Sequence, residues 1–386
     1  MQAIDQFVAG CREQPRIVEL PLWNFSAFVP ARLRPFCFFV SRIAFYVLIF
    51  FSIIARIITV NTSATRCPAR GFIEQGGRMP KTLVILNPIA GQGRALKAWT
   101  WIEPALRAGG LAFELVRTMA PCHAIALAEQ AKYDGYETII AVGGDGIVHE
   151  IVNGILRATR GEIGGTLGVI PVGSGNDFAK MIPLVPHDWQ TAVQKILAGK
   201  TRWFDVGRIT VDTNASCSDT HIRYFDNSFD TGFGANVAKH THIPFLTGVA
   251  MYLVAVFRTL IAYSNPRLKI TFAEHPNIEQ ASTMTVATIG RCFGGGFWIC
   301  PDAQVDDGLL DVMIADGLGR VGILQLLPKV MQGKHVGDPR VKFLRAPRLV
   351  IESPDALAIE CDGEVPWLDA HRIEIEILPK RLQVIT

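Results

Sequence analysis

Charge is scarce in this chain and unevenly placed. Only 19% of the 386 residues are Asp, Glu, Lys or Arg, against 49% apolar, and the net charge is +3. Residues 1–78 contain no lysine; nine arginines against four acids give them +5. The remaining 308 residues hold 29 basic and 31 acidic side chains, a net of −2. A folded body with that balance lacks the basic stripe of a nucleic-acid binder, so no nucleic-acid partner is expected. None of the eight cysteines forms a Cys-x-x-Cys pair. That excludes a zinc ribbon or redox dithiol and suits free, mostly buried thiols of a reducing compartment. The Walker pattern G-x-x-x-x-G-K-[ST] is missing. So is the Rossmann fingerprint: Gly91-Gln-Gly93-Arg-Ala-Leu96 has no third glycine, and no acid closes a second strand about 20 residues on. There is no internal repeat or low-complexity tract.

A long uninterrupted apolar run is also lacking. In the stretch PFCFFVSRIAFYVLIFFSIIARIITV, residues 35–60, the longest uncharged run, Ile43 to Ala55, is 13 residues, short of the roughly 20 a spanning helix needs. Arg42 lies inside it, and mid-bilayer an arginine costs at least about 2.5 kcal/mol. Three readings stay open for residues 1–78: a short or interfacial membrane anchor, an Arg-rich targeting peptide, or sequence upstream of a true start at Met79.

From Lys81 the pattern is regular. KTLVIL, Phe113–Arg117, Thr138–Val142 and residues 166–170 read as strands; Ala95–Ala108, Ala124–Ala131 and a segment through about Leu156 read as helices. A further helix is expected after the glycines that follow the fourth strand. Strands apolar throughout and alternating with helices predict a parallel α/β sheet covered on both faces. After Lys200 most segments read as strands without helices between them, which predicts a mainly antiparallel, β-rich second domain over 201–386. Its last strands close it or return to the domain at 79–200. The exception is the apolar helical stretch Pro244–Tyr263. It reads as core more readily than as a lipid-facing surface, yet it is the leading site for membrane contact.

Three glycine turns follow three of those strands: Asn87-Pro-Ile-Ala-Gly-Gln-Gly93, Gly143-Gly-Asp-Gly146 and Gly173-Ser-Gly-Asn-Asp177. Each exposes backbone N–H groups near a helix start, where the dipole favours anions. Turns at the carboxyl ends of parallel strands are where α/β sheets bind ligands. One such turn is usually just a turn; three in register point to a phosphate, with Asp145 held among them.

NPIAGQG, GGDGIVHEIVNGI and GVIPVGSGNDFAK together resemble the diacylglycerol kinase catalytic-domain family, which includes bacterial lipid kinases and the sphingosine and ceramide kinases. The resemblance continues through FDNSFDTGFGANV, FGGGFWICPDAQVDDGLLDV and ECDGE, covering about Lys81 to Thr386. It implies a nucleotide-binding domain like that of NAD kinases, a β-sandwich-like domain, and an active site between them. Carried over by motif, Asn87, Pro88 and Gly91 would touch ATP, as would Thr118. The stretch from Gly143 and Gly144 through Gly146 to His149 would wrap the phosphates, and Ser174 would add a hydroxyl. Asp145 would act on Mg²⁺ or on the attacking hydroxyl, and a Mg²⁺ would also be held near Gln304, Asp307 and Leu309. Asp362 and Glu364 would supply the base for the acceptor alcohol, with Glu364 the first choice. By themselves, Asp362-Gly363 read as a hairpin turn and His149 as a polar residue at a helix start. Glu150 reads equally as a backbone partner or an ATP contact, and Asn176-Asp177 as a helix cap or a phosphate contact. Two positions depart from the family pattern: Ile147 stands where bacterial members usually have threonine, and Ile289 where asparagine is common.

The expected protein is therefore an ATP- and Mg²⁺-dependent lipid kinase acting on diacylglycerol or a relative. It would work in the cytoplasm, peripherally at a membrane surface, with an N-terminal anchor and a homodimer both compatible. A soluble kinase of NAD type and a non-catalytic lipid-binding protein on the same fold are the rival readings.

Overall fold

The computed structural model describes residues 82–185, 187–212, 222–240 and 248–386. The apolar run at 35–60 and the proposed start at Met79 lie outside them, and everything below belongs to the compact unit Arg78–Thr386.

The first strands are β1 (Thr82–Leu86), β2 (Glu114–Arg117), β3 (Thr138–Gly143) and β4 (Thr166–Pro171). They pair in parallel in the order β2-β1-β3-β4. Every residue of β1 is buried, as are all but the first of β3 and of β4, as continuous apolar runs require. Helices α1 (Ala90–Ala108), α2 (His123–Tyr133) and α3 (Asp145–Ala158) connect and cover them. Each buried aliphatic side chain contributes about 1.5–3 kcal/mol. Helix α3 buries Ile147, Val148, Ile151, Val152 and Ile155, the i, i+4 spacing of a helix face set on a sheet. It also crosses α2 closely at Gly154, where a Cβ would lie 2.3 Å from the Ile125 carbonyl oxygen.

The helix expected after the third glycine turn does not form. A single 3₁₀ turn, Phe178–Lys180, stands there, and α4 (Trp189–Ala198) begins only beyond Pro183 and Pro186. Proline inside a helix removes a backbone donor and clashes with the preceding turn, so the chain waits until it is past both.

Next come β5 (Thr201–Asp212), β6 (Ile222–Phe225), β7 (Ser228–Gly232), α5 (Phe233–Ala238) and α6 (Gly248–Ala262). Then follow β8 (Arg267–Phe272), β9 (Ile278–Thr288), β10 (Leu310–Asp316), α7 (Arg320–Met331), β11 (Val341–Ala346), β12 (Arg348–Cys361) and β13 (Glu364–Ile385). Pairings among β5–β13 are antiparallel. The longest strand, β13, runs antiparallel to β5, and its end pairs in parallel with β4 through Gln383↔Thr166 and Val384↔Leu167. One sheet therefore runs β11-β10-β9-β7-β12-β13-β4-β3-β1-β2.

Helix α6 is divided lengthwise. Ala255, Val256 and Leu260 are buried with Phe233 and Val237 of α5, while Val254, Phe257 and Ile261 are exposed. Its apolar excess thus serves a core on one side and faces outward on the other. Among the described residues, no helix is long and apolar enough to cross a membrane.

Candidate functional site

The three glycine turns and the β12–β13 hairpin face one cleft of about 610 Å³. Its lining includes Asn87, Pro88, Gly91, Thr118, Gly144, Asp145, Gly146 and Ser174 of the expected nucleotide side. Asp362 and Glu364 line it as well, although they lie 188 or more positions beyond the last residue of that side, Ser174.

Backbone geometry explains the glycines. Gly91, Gln92 and Gly93 take three left-handed conformations in succession (φ 58°, 61° and 82°), tolerable chiefly because two of them lack Cβ. Arg94 ties this turn to the third one, its Nε donating to the Gly91 carbonyl at 2.9 Å and its Nη2 reaching the Gly173 carbonyl at 3.5 Å. The second and third turns touch backbone to backbone: a Cβ on Gly173 would lie 2.3 Å from the Cα of Gly144. Ile147 packs over Gly143, where a Cβ would meet its Cγ2 at 2.7 Å. This departure from the family pattern is a packing choice, and Ile289 is likewise fully buried.

Asp145 opens α3 and accepts the Phe178 N–H at 3.0 Å. Protein encloses it on nearly every side although part of it faces the cleft. Burial first, then the neighbouring Asp177, pushes its carboxyl up to about 6, against the pull of the Phe178 N–H. Asp177 is paired with Lys180 and accepts the Gly295 N–H at 2.8 Å. It caps no helix by its side chain. Asn176 folds back on its own turn, with both amide atoms bonded to the Gly173 backbone at 3.0 Å.

On the opposite wall the two acids of the hairpin differ. Asp362 and Gly363 have positive φ (49° and 91°), as a two-residue primed turn requires. Asp362 is buried, and all its acceptor capacity is used. Its Oδ1 takes the N–H groups of Asn227 (3.1 Å) and Ser228 (2.8 Å). Its Oδ2 takes the N–H of Asp226 (2.9 Å) and Nδ1 of His149 (2.7 Å). Glu364 is exposed and lines the cleft, and among the described residues no hydrogen bond or ion pair engages its carboxylate. A Cβ built on Gly146 would lie 3.8 Å from Glu364 Oε1, which sets that carboxylate over the start of α3.

His149 requires a correction. It is fully buried and does not line the cleft, so it sits behind the nucleotide side without touching it. Arg223 Nε donates to its Nε2 at 3.0 Å, which leaves the proton on Nδ1 for Asp362. This neutral imidazole joins α3 to the β12–β13 hairpin. Glu150 resolves to the backbone alternative, taking the N–H groups of Cys122 and Ala124 at 2.9 Å each. That caps α2 at its positive end.

Gln304, Asp307 and Leu309 lie elsewhere, and none lines the cleft. Asp307 pairs with Arg345 and accepts the Leu309 N–H at 3.1 Å. The next residue, Gly308, donates to Asp205 at 2.7 Å. Asp226, Asn227, Gly294 and Gly295 line the cleft without having been expected there, and Asp177 lines it too, where the sequence left a phosphate contact or a helix cap open. The available signal was an acid between the apolar ends of two strands, in FDNSFDTG.

A model described as the diacylglycerol kinase catalytic domain matches residues 81–209, and one described as the YegS C-terminal NAD kinase beta sandwich-like domain matches residues 227–386. A diacylglycerol kinase of Mycobacterium tuberculosis is 30% identical over 312 residues, 79% of this chain and 94% of that one. The chain belongs to the diacylglycerol kinase family. A probable lipid kinase, YegS-like, of Pectobacterium atrosepticum is 28% identical over 307 residues, 78% of this chain and 94% of its own. A crystal structure of a diacylglycerol kinase from Bacillus anthracis superposes with a TM-score of 0.58 at 22% identity, covering 80% of this chain and 97% of that one; it shows the shared fold. As a member of the family, this kinase is a phosphotransferase with an alcohol as acceptor.

Proposed function

We propose that this kinase uses ATP and Mg²⁺ to phosphorylate a hydroxyl of a membrane lipid, diacylglycerol or a relative. The observation that carries the reading is the free carboxylate of Glu364 set over Gly146, where backbone donors of the glycine turns converge. Phosphoryl transfer needs little covalent work from the protein; it needs alignment and charge neutralisation. In this reading the turns at Asn87–Gly91 and Gly143–Gly146 receive the phosphates, with Thr118 and Ser174 beside them. Glu364 takes the proton of the acceptor alcohol, a task worth about 10²–10⁴-fold. Asp362 positions the hairpin that carries Glu364 and has no acceptor capacity left for chemistry.

Asp145 and Asp226 line the cleft, and among the described residues neither takes part in an ion pair, a donor set that suits a hard divalent cation. When bound, such an ion neutralises phosphate charge. A lipid acceptor stays in its bilayer, so we assign a peripheral membrane role in the cytoplasm. The exposed Val254, Phe257 and Ile261 of α6 support it, on a helix that carries Arg258 and no acid. Purified protein with labelled ATP and a panel of lipids, in detergent and in vesicles, tests the reading once products are separated. A labelled diacylglycerol or sphingoid phosphate is expected; label in NAD alone, or in no product, refutes it.

A further inference from the structure

The two-residue turn before Glu364 is held at both of its free amides. Cys361 and Glu364 close it as partners in the β12–β13 ladder, which leaves the N–H groups of Asp362 and Gly363 outside that ladder. Asp362 donates its N–H to the Ser228 carbonyl at 3.1 Å. Gly363 donates to Oε1 of Glu360, three residues back on β12. Gly363 and Glu364 are exposed and line the cleft, whereas Glu360 is 4% exposed and does not line it. A buried side chain thus grips the turn from behind.

Glu360 Oε2 is buried with no hydrogen-bond partner. Directly across the strands, in register, stands Asp230 of β7, so the two acids share one face of the sheet. On the far side of β7, strand β9 places the apolar Val286 opposite Asp230. Tyr263 of α6 lies near Asp230 but spends its hydroxyl on the Thr283 carbonyl at 2.7 Å. The charged groups that act on Glu360 are Asp230, Asp362 and Asp177, every one an acid. Burial first, then Asp230, raises the Glu360 carboxyl well above the ordinary range, against the pull of the Gly363 N–H. A buried carboxylate among acids is costly, and the uncharged carboxyl still offers its oxygen to Gly363.

We propose that Glu360 is a positioning residue for phosphoryl transfer: by holding the Gly363 N–H it fixes the turn that sets Glu364 over the start of α3. The role of Glu364 rests on the lipid-kinase reading; the grip on Gly363 does not. Glu360 grips as an uncharged carboxyl, so losing its proton at alkaline pH loosens the turn. The full chain is compared as wild type, Glu360→Gln and Glu360→Ala, by kcat and KM from neutral to alkaline pH and by the exchange protection of the Gly363 amide. Glu360→Gln keeps the acceptor oxygen and has no proton to lose. It should retain wild-type kcat and Gly363 protection at neutral pH and lack the alkaline fall in kcat that the wild type shows. Glu360→Ala should lower kcat about 10- to 100-fold, the scale of a small misplacement, while KM for ATP stays within a few-fold and Gly363 loses protection. Wild-type kcat in a folded Glu360→Ala overturns the proposal, as does an alkaline fall that Glu360→Gln shares unchanged. Should Glu360→Ala fail to fold, the pH profile of Glu360→Gln decides alone. A wild type that phosphorylates no lipid refutes the kinase reading instead. The grip is then upheld by Gly363 protection that falls at alkaline pH in the wild type and persists in Glu360→Gln, and overturned by equal protection in both.

Discussion

From Asn87 to Asn176 the cleft is bounded by turns whose side chains are small or absent, so that the backbone itself meets the ligand. From Asp226 to Glu364 it is bounded by acids. The first wall owes its shape to steric exclusion: Gly144 and Gly173 touch so closely that a Cβ on Gly173 would lie 2.3 Å from the Cα of Gly144. The second owes its shape to hydrogen bonding, with one buried carboxylate, Asp362, gathering three backbone donors and a histidine. A phosphate binder needs many fixed donors and little side-chain freedom. A proton acceptor needs one free group held at a set height. On the proposed reading the two walls answer these two needs separately, and substitutions should separate them too.

The largest effect is expected at Glu364. Glu364→Gln keeps shape and removes basicity, so kcat should fall by about 10²–10⁴, while ATP affinity measured by calorimetry stays within a few-fold. Loss of ATP binding with kcat preserved would move Glu364 to the other wall. Next is Asp145, the acid that opens α3 in the glycine wall. Asp145→Asn should lower kcat by at least about 10² with the melting temperature maintained, and near-normal turnover by the folded variant would remove it from the chemistry. Gly173→Ala tests the glycine wall alone. Its Cβ would strike the backbone of Gly144, so KM for ATP should rise about tenfold or more while KM for lipid stays put. Equal changes in both would show that the walls do not act separately.

The smallest effect lies behind the acidic wall. Asp230 is fully buried, and burial, against the pull of the Ala235 N–H, pushes its carboxyl up to about 8. Its folded value lies above the unfolded one, so its stabilising share is complete below about 4 and is lost as pH rises to about 8. Asp230→Asn lacks that titration. Its melting temperature should exceed the wild-type value by a margin that widens from about pH 4 to about pH 8 and then levels off. Parallel curves across that range would refute the assignment, and kinase activity should barely change.

The glycine wall was legible in the sequence because strand, turn and helix are local. GGDG after TIIAV specifies its own conformation, and the positions of β1, β3 and β4 followed from apolar runs. The acidic wall was legible only through the family motif at ECDGE. Nothing local reveals that Asp362 is saturated while Glu364, two residues on, is free; that distinction depends on backbone donors at 226–228. His149 was misplaced for the same reason. A histidine at i+4 from Asp145 reads as helix surface until a hairpin over two hundred residues away supplies its partner. The missing helix after Gly175 reflects Pro183 and Pro186, whose effect outweighed the repetition of the earlier strand–turn–helix units.

Strand β13 has a consequence for biosynthesis. It alone separates β4 from β12 in the sheet, and Gln383 finds Thr166 across a sequence separation of 217. While the ribosome is still making the second half, β4 has no neighbour on that side, and an apolar strand with a bare edge invites pairing with another nascent chain. A contact so distant in sequence also forms slowly. The N-terminal half is thus exposed to misassembly until β13 docks, and on the proposed reading it still lacks the base, Glu364, that phosphate transfer needs.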